Sequence, residues 1–310
     1  MKVFELPQIL SALDEDAALA AVEAAFRGFA TGQAQLTAVG HLGFPDPPGD
    51  CHVKGARMAG EEVFVVKLAS SFYRNPERGL SSSTGFMAVM SARTGEVLAI
   101  LHDQGRLTDT RTAMAGVLAA RCILRPGSRT LGIVGAGIQA WLQADLIGRR
   151  LGLDEVLIWA RDPSRATALA SDIGARAVDL PELCARADLI VTATPSTEPL
   201  IGVEMIRSGA RIVAVGADSP GKRELDPRIL ALGHVVVDSP AQCLDHGETG
   251  WAVRAGLIEP ASLIELGALL TTPRAFGDSD TVVADLTGVA IQDLAIATSV
   301  WRRLQAEDAR

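Results

Sequence analysis

Leu131-Gly132-Ile133-Val134-Gly135-Ala136-Gly137-Ile138-Gln139-Ala140 decides the fold. An apolar run of strand length passes directly into G-x-G-x-x-A, and helical spacing continues to about Leu151. Each small residue has a task. Gly135 permits the tight turn, Gly137 removes a side chain where backbone must approach a pyrophosphate, and Ala140 lets the helix pack closely on the sheet. The first helical turn, opening with Ile138 and Gln139, then points its amides at the phosphate charge. The glycine spacing alone also fits an ordinary βα turn, so the flanking pattern carries the decision. Short β-branched or leucine-rich runs recur at Thr130–Val134, Val156–Trp159, Leu189–Ala193, Ile212–Val215, Val235–Val237 and Thr281–Leu286, with helical stretches between most of them. The expected class is therefore α/β, with a Rossmann-type doubly wound parallel sheet over residues 115–288.

The flanks read differently. Acidic Asp14, Glu15 and Asp16 precede a helix expected at Ala17–Phe29. A Gly/Pro-rich stretch, Gly40–Gly49, separates it from a buried strand, Val63–Val66, that ends at Lys67. Further strands are expected at Gly85–Ser91 and Val97–Leu101, joined by a turn at Arg93-Thr94-Gly95. A final helix, about Ala290–Gln305, carries apolar residues at packing positions and is expected to return to this first region. The second domain is thus a split α+β unit, residues 1–114 plus 289–310.

At 310 residues with 48% hydrophobic content, the chain is long enough for two cores. A net charge of −8 argues against nucleic acid or an anionic membrane surface as partner. The N-terminus lacks a secretory pattern and no run resembles a membrane span, so the expected location is the cytoplasm. Cys51, Cys122, Cys184 and Cys243 are scattered, and His41, His52, His102, His234 and His246 show no ligand spacing, so no metal site is expected. The serine-rich Gly79–Gly85 stretch does not form a nucleophile elbow.

The end of the second strand of the sheet bears on cofactor choice, because NAD favours an acidic residue there and NADP a cationic one. Ala160 stands in that slot, and Arg161 with Arg165 can clamp a phosphate, so NADP(H) is favoured over NAD(H). Asp162 is the acidic alternative if the register shifts by one.

Five segments together resemble the ornithine cyclodeaminase/μ-crystallin family: Val66–Ser70, Leu107–Ala113, the glycine motif, Gly216–Leu225 and Gly288–Asp293. The Leu-Thr-Asp-x-Arg-Thr and Pro-Gly-Lys-x-Glu-Leu stretches are the specific ones. The resemblance implies a homodimer whose split domain binds a small amino-acid, imino-acid or keto-acid substrate and also forms the dimer contact, while the other domain binds NAD(P). It implies that Lys67 binds the substrate carboxylate beside the reacting carbon. A lone lysine on a buried strand otherwise reads as one that snorkels to solvent. Arg111 lies where Thr108 or Thr110 can cap a helix starting near Thr112, so a guanidinium and backbone donors converge on an anion. Thr112 offers a hydroxyl to the cofactor phosphates, and Thr194, just past the strand Leu189–Ala193, is also assigned to the cofactor.

Asp218, after the strand Ile212–Val215, is the acid/base candidate, although composition alone reads it as a turn residue before Ser219-Pro220-Gly221. Asp293 is either a charge at a helix start or a residue near the nicotinamide. Family members that act on ornithine carry a further arginine upstream of the strand lysine, and no arginine lies between Gly28 and Ala56. His52, Lys54 and Arg57 offer a basic substitute that suits an anionic substrate. The expected activity is an NAD(P)H-dependent reductase of small imino acids or ketimines. The alternatives are a cyclodeaminase releasing ammonia from ornithine or lysine and a non-catalytic NADPH-binding protein.

Overall fold

The alternation that opens at Val63 builds a sheet with one buried face. In the computed structural model, which describes residues 1–72 and 74–308, Val63, Val65 and Lys67 are buried while Phe64, Val66 and Leu68 are half-buried on the other side. The strands of this sheet are β1 (Lys2–Glu5), β2 (Ala34–Leu36), β3 (Gly40–Pro45), β4 (Pro48–Met58), β5 (Val63–Phe72), β6 (Ser83–Ser91) and β7 (Val97–His102). Their order is β1-β7-β6-β5-β4-β2, with β3 paired to β4. Among the described residues the helices are α1 (Leu6–Ala12), α2 (Glu15–Ala30), α3 (Arg106–Ile123), α4 (Ile138–Leu151), α5 (Pro163–Ile173), α6 (Leu180–Arg186), α7 (Pro240–Asp245), α8 (Glu248–Arg254), α9 (Leu266–Thr271) and α10 (Ala290–Asp308).

The chain forms two units, Met1–Arg111 with the segment from Ala290 onwards, and Thr112–Val289. In the first, α10 packs on α2, β4 and β5, burying Ile291, Leu294, Val300 and Leu304. Asp14 caps α2 by accepting from the Ala17 amide at 3.1 Å.

Three sequence expectations about this unit are corrected. Gly40–Gly49 is not merely a Gly/Pro-rich connection; it forms β3 and the start of β4, in register from Gly40↔Val53 to Pro45↔Pro48. Lys67 does not end its strand. Paired to β4 on one side and β6 on the other, β5 runs on to Phe72, so Lys67 sits mid-strand. The helix carrying Arg111 starts at Arg106, not near Thr112. Asp103 supplies the terminal acceptor, taking the Leu107 amide at 2.8 Å, whereas Thr110 bonds back to the Arg106 carbonyl. Neither threonine therefore caps the helix for Arg111.

The second unit is built from β8 (Thr130–Val134), β9 (Glu155–Trp159), β10 (Arg176–Ala177), β11 (Leu189–Thr192), β12 (Arg211–Ala214), β13 (Gly233–Val237), β14 (Ile264–Glu265) and β15 (Thr281–Asp285). All are parallel, in the order β10-β9-β8-β11-β12-β15-β13-β14. Every residue of β8, β11, β12 and β15 is buried, which is why they read as near-continuous apolar runs. The order reverses between β8 and β11, and in a sheet of this kind the crevice at that switch point, beyond the strands' carboxyl ends, is where ligands bind.

The packing of α4 against α3 depends on one glycine. Gln143 is fully buried and donates from Nε2 to the Thr112 carbonyl at 3.3 Å, and a Cβ at Gly116 would fall on the Gln143 amide. Gly116→Ala should therefore destabilise the protein by about 1–3 kcal/mol in urea unfolding, since it displaces a buried amide from its acceptor. The double variant with Gln143→Ala should recover part of that loss, and strictly additive effects would refute the coupling.

Candidate active site

On the buried face of the first sheet, residues that share a register line up. Lys54 on β4 lies opposite Lys67 on β5, and both side chains are buried. A lysine pair would repel in isolation. Here α10 supplies the counterion: Asp293 Oδ1 and Oδ2 each lie 3.0 Å from Lys67 Nζ. Arg111 joins from α3, its Nε 2.8 Å from Asp293 Oδ1 without hydrogen-bond alignment, and its Nη1 donates to Gln292 Oε1 at 2.7 Å. Two buried cations thus share one carboxylate. Burial, and then the charges of Arg111 and Lys54, outweigh Asp293 and bring Lys67 down to about 7. Burial pushes Asp293 up, but Arg111, Lys67 and Lys54 more than offset it and hold the carboxyl below its ordinary range. Asp103 is raised by burial.

This arrangement can hold an anion. Gln292 is fully buried, its Oε1 is taken by Arg111, and its Nε2 has no partner. A buried donor without an acceptor costs about 1–3 kcal/mol, which a ligand oxygen would relieve.

The structure sorts the sequence candidates. Lys67, Arg111 and Lys54 come together, and His52 lies on their face of β4, half-buried, with Nε2 3.5 Å from Asp50 Oδ1. Arg57 does not join them. Three residues beyond Lys54 it falls on the opposite face, where it is exposed and donates to Gln35 Oε1 at 2.8 Å. Asp293, assigned to the cofactor from the sequence, pairs with Lys67 and Arg111, and its Oδ2 accepts no hydrogen bond. Gln292 was missed, although it adjoins Asp293 in a segment already singled out.

In the second unit Gly135 adopts φ 136°, its amide donates to the Trp159 carbonyl at 2.8 Å, and a Cβ there would lie 2.6 Å from the Ala193 carbonyl oxygen. Only glycine fits such a turn. Gly137 stands at the N-cap of α4 with no side-chain cap, and a Cβ built on it meets no atom within 4 Å. Uncapped amides beside open space fit a pyrophosphate. Ile138 is exposed and Gln139 half-exposed in the first turn of α4, and Thr112 lies in the second turn of α3. Arg161 and Arg165 are exposed, and Arg165 donates to the Ala136 carbonyl at 3.3 Å, beside the glycine turn. Asp162 caps α5, its Oδ1 accepting from the Ser164 amide at 3.0 Å and hydroxyl at 2.7 Å. Asp218 is exposed past β12 and pairs with Lys222 at 2.7 Å. Thr194 follows β11, with its amide bound to Glu224 Oε1 at 2.7 Å.

The folded geometry agrees with the full-length relationship. A family model described as ornithine cyclodeaminase/mu-crystallin matches residues 5–308. The chain belongs to that family. An alanine dehydrogenase of Archaeoglobus fulgidus is 34% identical over 302 residues, covering 95% of this chain and 92% of the relative. A solved archaeal alanine dehydrogenase dimer with bound NAD superposes with a TM-score of 0.91 at 31% identity, over 99% of this chain and 96% of the other. The iminosuccinate reductase of Paracoccus denitrificans in complex with NAD+ gives a TM-score of 0.89 at 30% identity, over 99% and 97%.

The second unit also holds acids that sequence reading missed. Glu224, Glu248 and Asp285 are buried. Burial raises Glu224 to about 7 against bonds from Thr192, Thr194 and Gly216, and raises Asp285 to about 7 against bonds from Thr249. Burial, reinforced by Glu224 and Asp285, raises Glu248 well above its ordinary value. Among the described residues no group of His, Cys, Asp and Glu is arranged to hold a metal ion.

The cation cluster makes a direct prediction. Asp293→Asn leaves Lys67 and Arg111 buried without their shared counterion and should lower the unfolding free energy by about 3–5 kcal/mol. Urea denaturation measures it, and a loss under about 1 kcal/mol would show that other groups neutralise the pair.

Proposed function

We propose that this protein is an NAD(P)H-dependent reductase of small imino acids or ketimines, working by hydride transfer of the amino-acid dehydrogenase type on an anionic substrate. The observation that carries the reading is the buried Lys67–Asp293–Arg111 cluster with the unused Gln292 donor. Arg111 and Lys67 hold the substrate carboxylate, and Gln292 completes its hydrogen bonds. A reduced nicotinamide, when bound, supplies a hydride to the imine carbon. Lys67 favours electron density moving onto nitrogen, and the Asp218 carboxylate, paired with Lys222, orients a water that gives nitrogen its proton and returns to neutrality by taking one from bulk solvent. Lys54 and His52 extend the basic face, which suits a second carboxylate, and similarity to an iminosuccinate reductase supports a dicarboxylate of that type.

We place NADPH ahead of NADH because Asp162 is committed to capping α5 while Arg161 and Arg165 stand exposed. The relatives with bound NAD support the dinucleotide itself, not this preference. Replacing Arg161 and Arg165 by alanine should lower kcat/KM for NADPH about ten-fold and leave NADH unchanged. The proposed homodimer uses the half-buried apolar face of the first sheet, with Phe64, Val66, Leu68, Phe86, Met90 and Ile100. We expect the enzyme in the cytoplasm; none of its described helices is long and apolar enough to cross a membrane.

A second reading, a cyclodeaminase, draws on Asp50. This carboxylate shares the face of Lys54 and His52 and can meet a distal ammonium. One assay separates the readings: NADPH or NADH with oxaloacetate or pyruvate plus ammonia or methylamine, and with cyclic imino acids. Substrate-dependent cofactor oxidation that falls at least about a hundred-fold in Lys67→Ala is the expected result. Ammonia release from ornithine or lysine with catalytic NAD would replace it by cyclodeamination. Cofactor binding with no turnover of any kind would mean a non-catalytic NADPH-binding protein.

The pH profile adds an independent check. Lys67 sits at about 7, so in the free enzyme it loses its positive charge as pH rises through that value. kcat/KM for an anionic acceptor should therefore fall above about pH 7, and Lys67→Arg, which stays charged, should lose that limb even if its maximum is lower.

A further inference from the structure

The Pro-Gly-Lys-x-Glu-Leu stretch gives Lys222 to Asp218, but its glutamate has no part in the chemistry proposed above. Glu224 is fully buried, and its carboxylate reaches across two neighbouring strand ends. Oε2 accepts from the Thr192 hydroxyl at 2.7 Å and the Gly216 amide at 2.9 Å, while Oε1 accepts from the Thr194 amide at 2.7 Å. Thr192 closes β11, and Thr194 and Gly216 each lie two residues beyond the ends of β11 and β12. From behind, Glu248 accepts the amides of Glu224 and Leu225 and so fixes the backbone that carries the carboxylate. A Cβ at Gly216 would fall on the Thr194 carbonyl and the Glu224 carboxylate. The two loops are therefore in contact, and Glu224 is the link between them.

Burying a carboxyl group is a costly way to satisfy two loop amides that water could satisfy at a surface. What the carboxylate adds is reach: its two oxygens take one amide from each of two separate loops together with the hydroxyl of Thr192 at the end of β11. In a doubly wound sheet the glycine turn takes the pyrophosphate, and the loops on the far side of the switch point receive the second mononucleotide half. Those are the loops after β11 and β12.

We infer that Glu224 is a positioning residue for the nicotinamide half of the cofactor, holding the Thr194 and Gly216 loops in the shape that receives it. It acts through those loops and touches no ligand. The inference rests on the dinucleotide reading of this unit and is independent of the substrate.

The test titrates wild type, Glu224→Gln and Thr192→Val with NADH or NADPH, whichever binds wild type more tightly, and with the matching fragment lacking the nicotinamide, ADP-ribose or its 2′-phosphate. In Glu224→Gln an amide nitrogen replaces an accepting oxygen, so one loop amide loses its partner. The Kd for the reduced cofactor should rise about ten-fold, while that for the fragment stays within roughly two-fold. Thr192→Val removes one donor and leaves the carboxylate in place, so the same split should follow at roughly two- to five-fold. If Glu224→Gln does not fold, Thr192→Val decides alone. A lower Tm with both affinities unchanged would make Glu224 merely structural and overturn the inference, as would equal weakening of cofactor and fragment. Wild type binding neither molecule would overturn the dinucleotide reading itself, and this inference with it.

Discussion

Asp293 is the counterion on which the first unit depends. Lys67 and Arg111 are buried, and a buried cation must be paired or lose its charge. Their shared carboxylate belongs to Asp293 of α10, 226 residues beyond Lys67 in the chain. The C-terminal helix therefore has to return to the sheet formed by the N-terminal strands, and its apolar face, Ile291, Leu294, Val300 and Leu304, seals the contact. The split arrangement of this unit follows from an electrostatic need as well as from hydrophobic burial. Sharing one carboxylate between two cations also leaves the cluster ready for a second anion, which is the state a substrate carboxylate would complete.

The parallel sheet solves a different problem. Its central strands are buried throughout, so the groups that can meet a ligand are confined to the carboxyl ends, where the backbone leaves the sheet. Gly135 and Gly216 stand there because adjacent loops come too close for a side chain. Around those glycines the loops meet backbone to backbone, and their amides need acceptors from elsewhere. Glu224 answers that by reaching in from the segment that carries Asp218. The same segment thus supplies an exposed charge on one side and a buried clamp on the other, which accounts for acidic residues of such different burial only six positions apart.

Much of this was legible in the sequence for physical reasons. Strands buried on both faces leave unbroken apolar runs, and the glycine spacing marks a turn that other residues cannot make, so six of the eight strands from Thr130 onward could be read with errors of a residue or two at their ends, while the two-residue edge strands β10 and β14 were too short to leave a pattern. Lys67 and Arg111 were found, but their settings were not. A lysine after Val63–Val66 reads as the end of a strand, because the pattern cannot show that a counterion from a distant helix makes a mid-strand lysine tolerable. β4 escaped for a related reason: His52 and Lys54 face inward, which breaks the alternation expected of a half-buried strand, and the glycines and prolines before it suggest irregular chain. Asp103 was invisible as a helix-terminal acceptor because it reaches forward across Gln104 and Gly105. Glu224 and Gln292 lay inside segments already marked, but nothing in a single sequence separates a buried glutamate or glutamine from a solvated one.

The two units carry opposite imbalances, and their linkage to pH differs in sign. Lys67 has a folded pKa of about 7, below its value in the unfolded chain. Between about 7 and the ordinary lysine value near 10.4 the unfolded state binds more protons, so this group's penalty is full below 7 and is relieved as pH rises through the window. Glu224 and Asp285, raised to about 7, do the reverse. Their contribution is fully present below the ordinary carboxyl range near 4 and is lost as pH climbs to about 7. The two windows meet near neutrality, so the combined contribution of these groups is least favourable there. Anion binding would act on the first of these groups. An anion beside Lys67 stabilises its charged form and raises its pKa, whereas the carboxylate form of Glu224 is the one that holds the loop amides. Near pH 7 an anion bound beside Lys67 would therefore be taken up together with a proton, and the cost of burying the lysine's charge would be lowest with that anion in place.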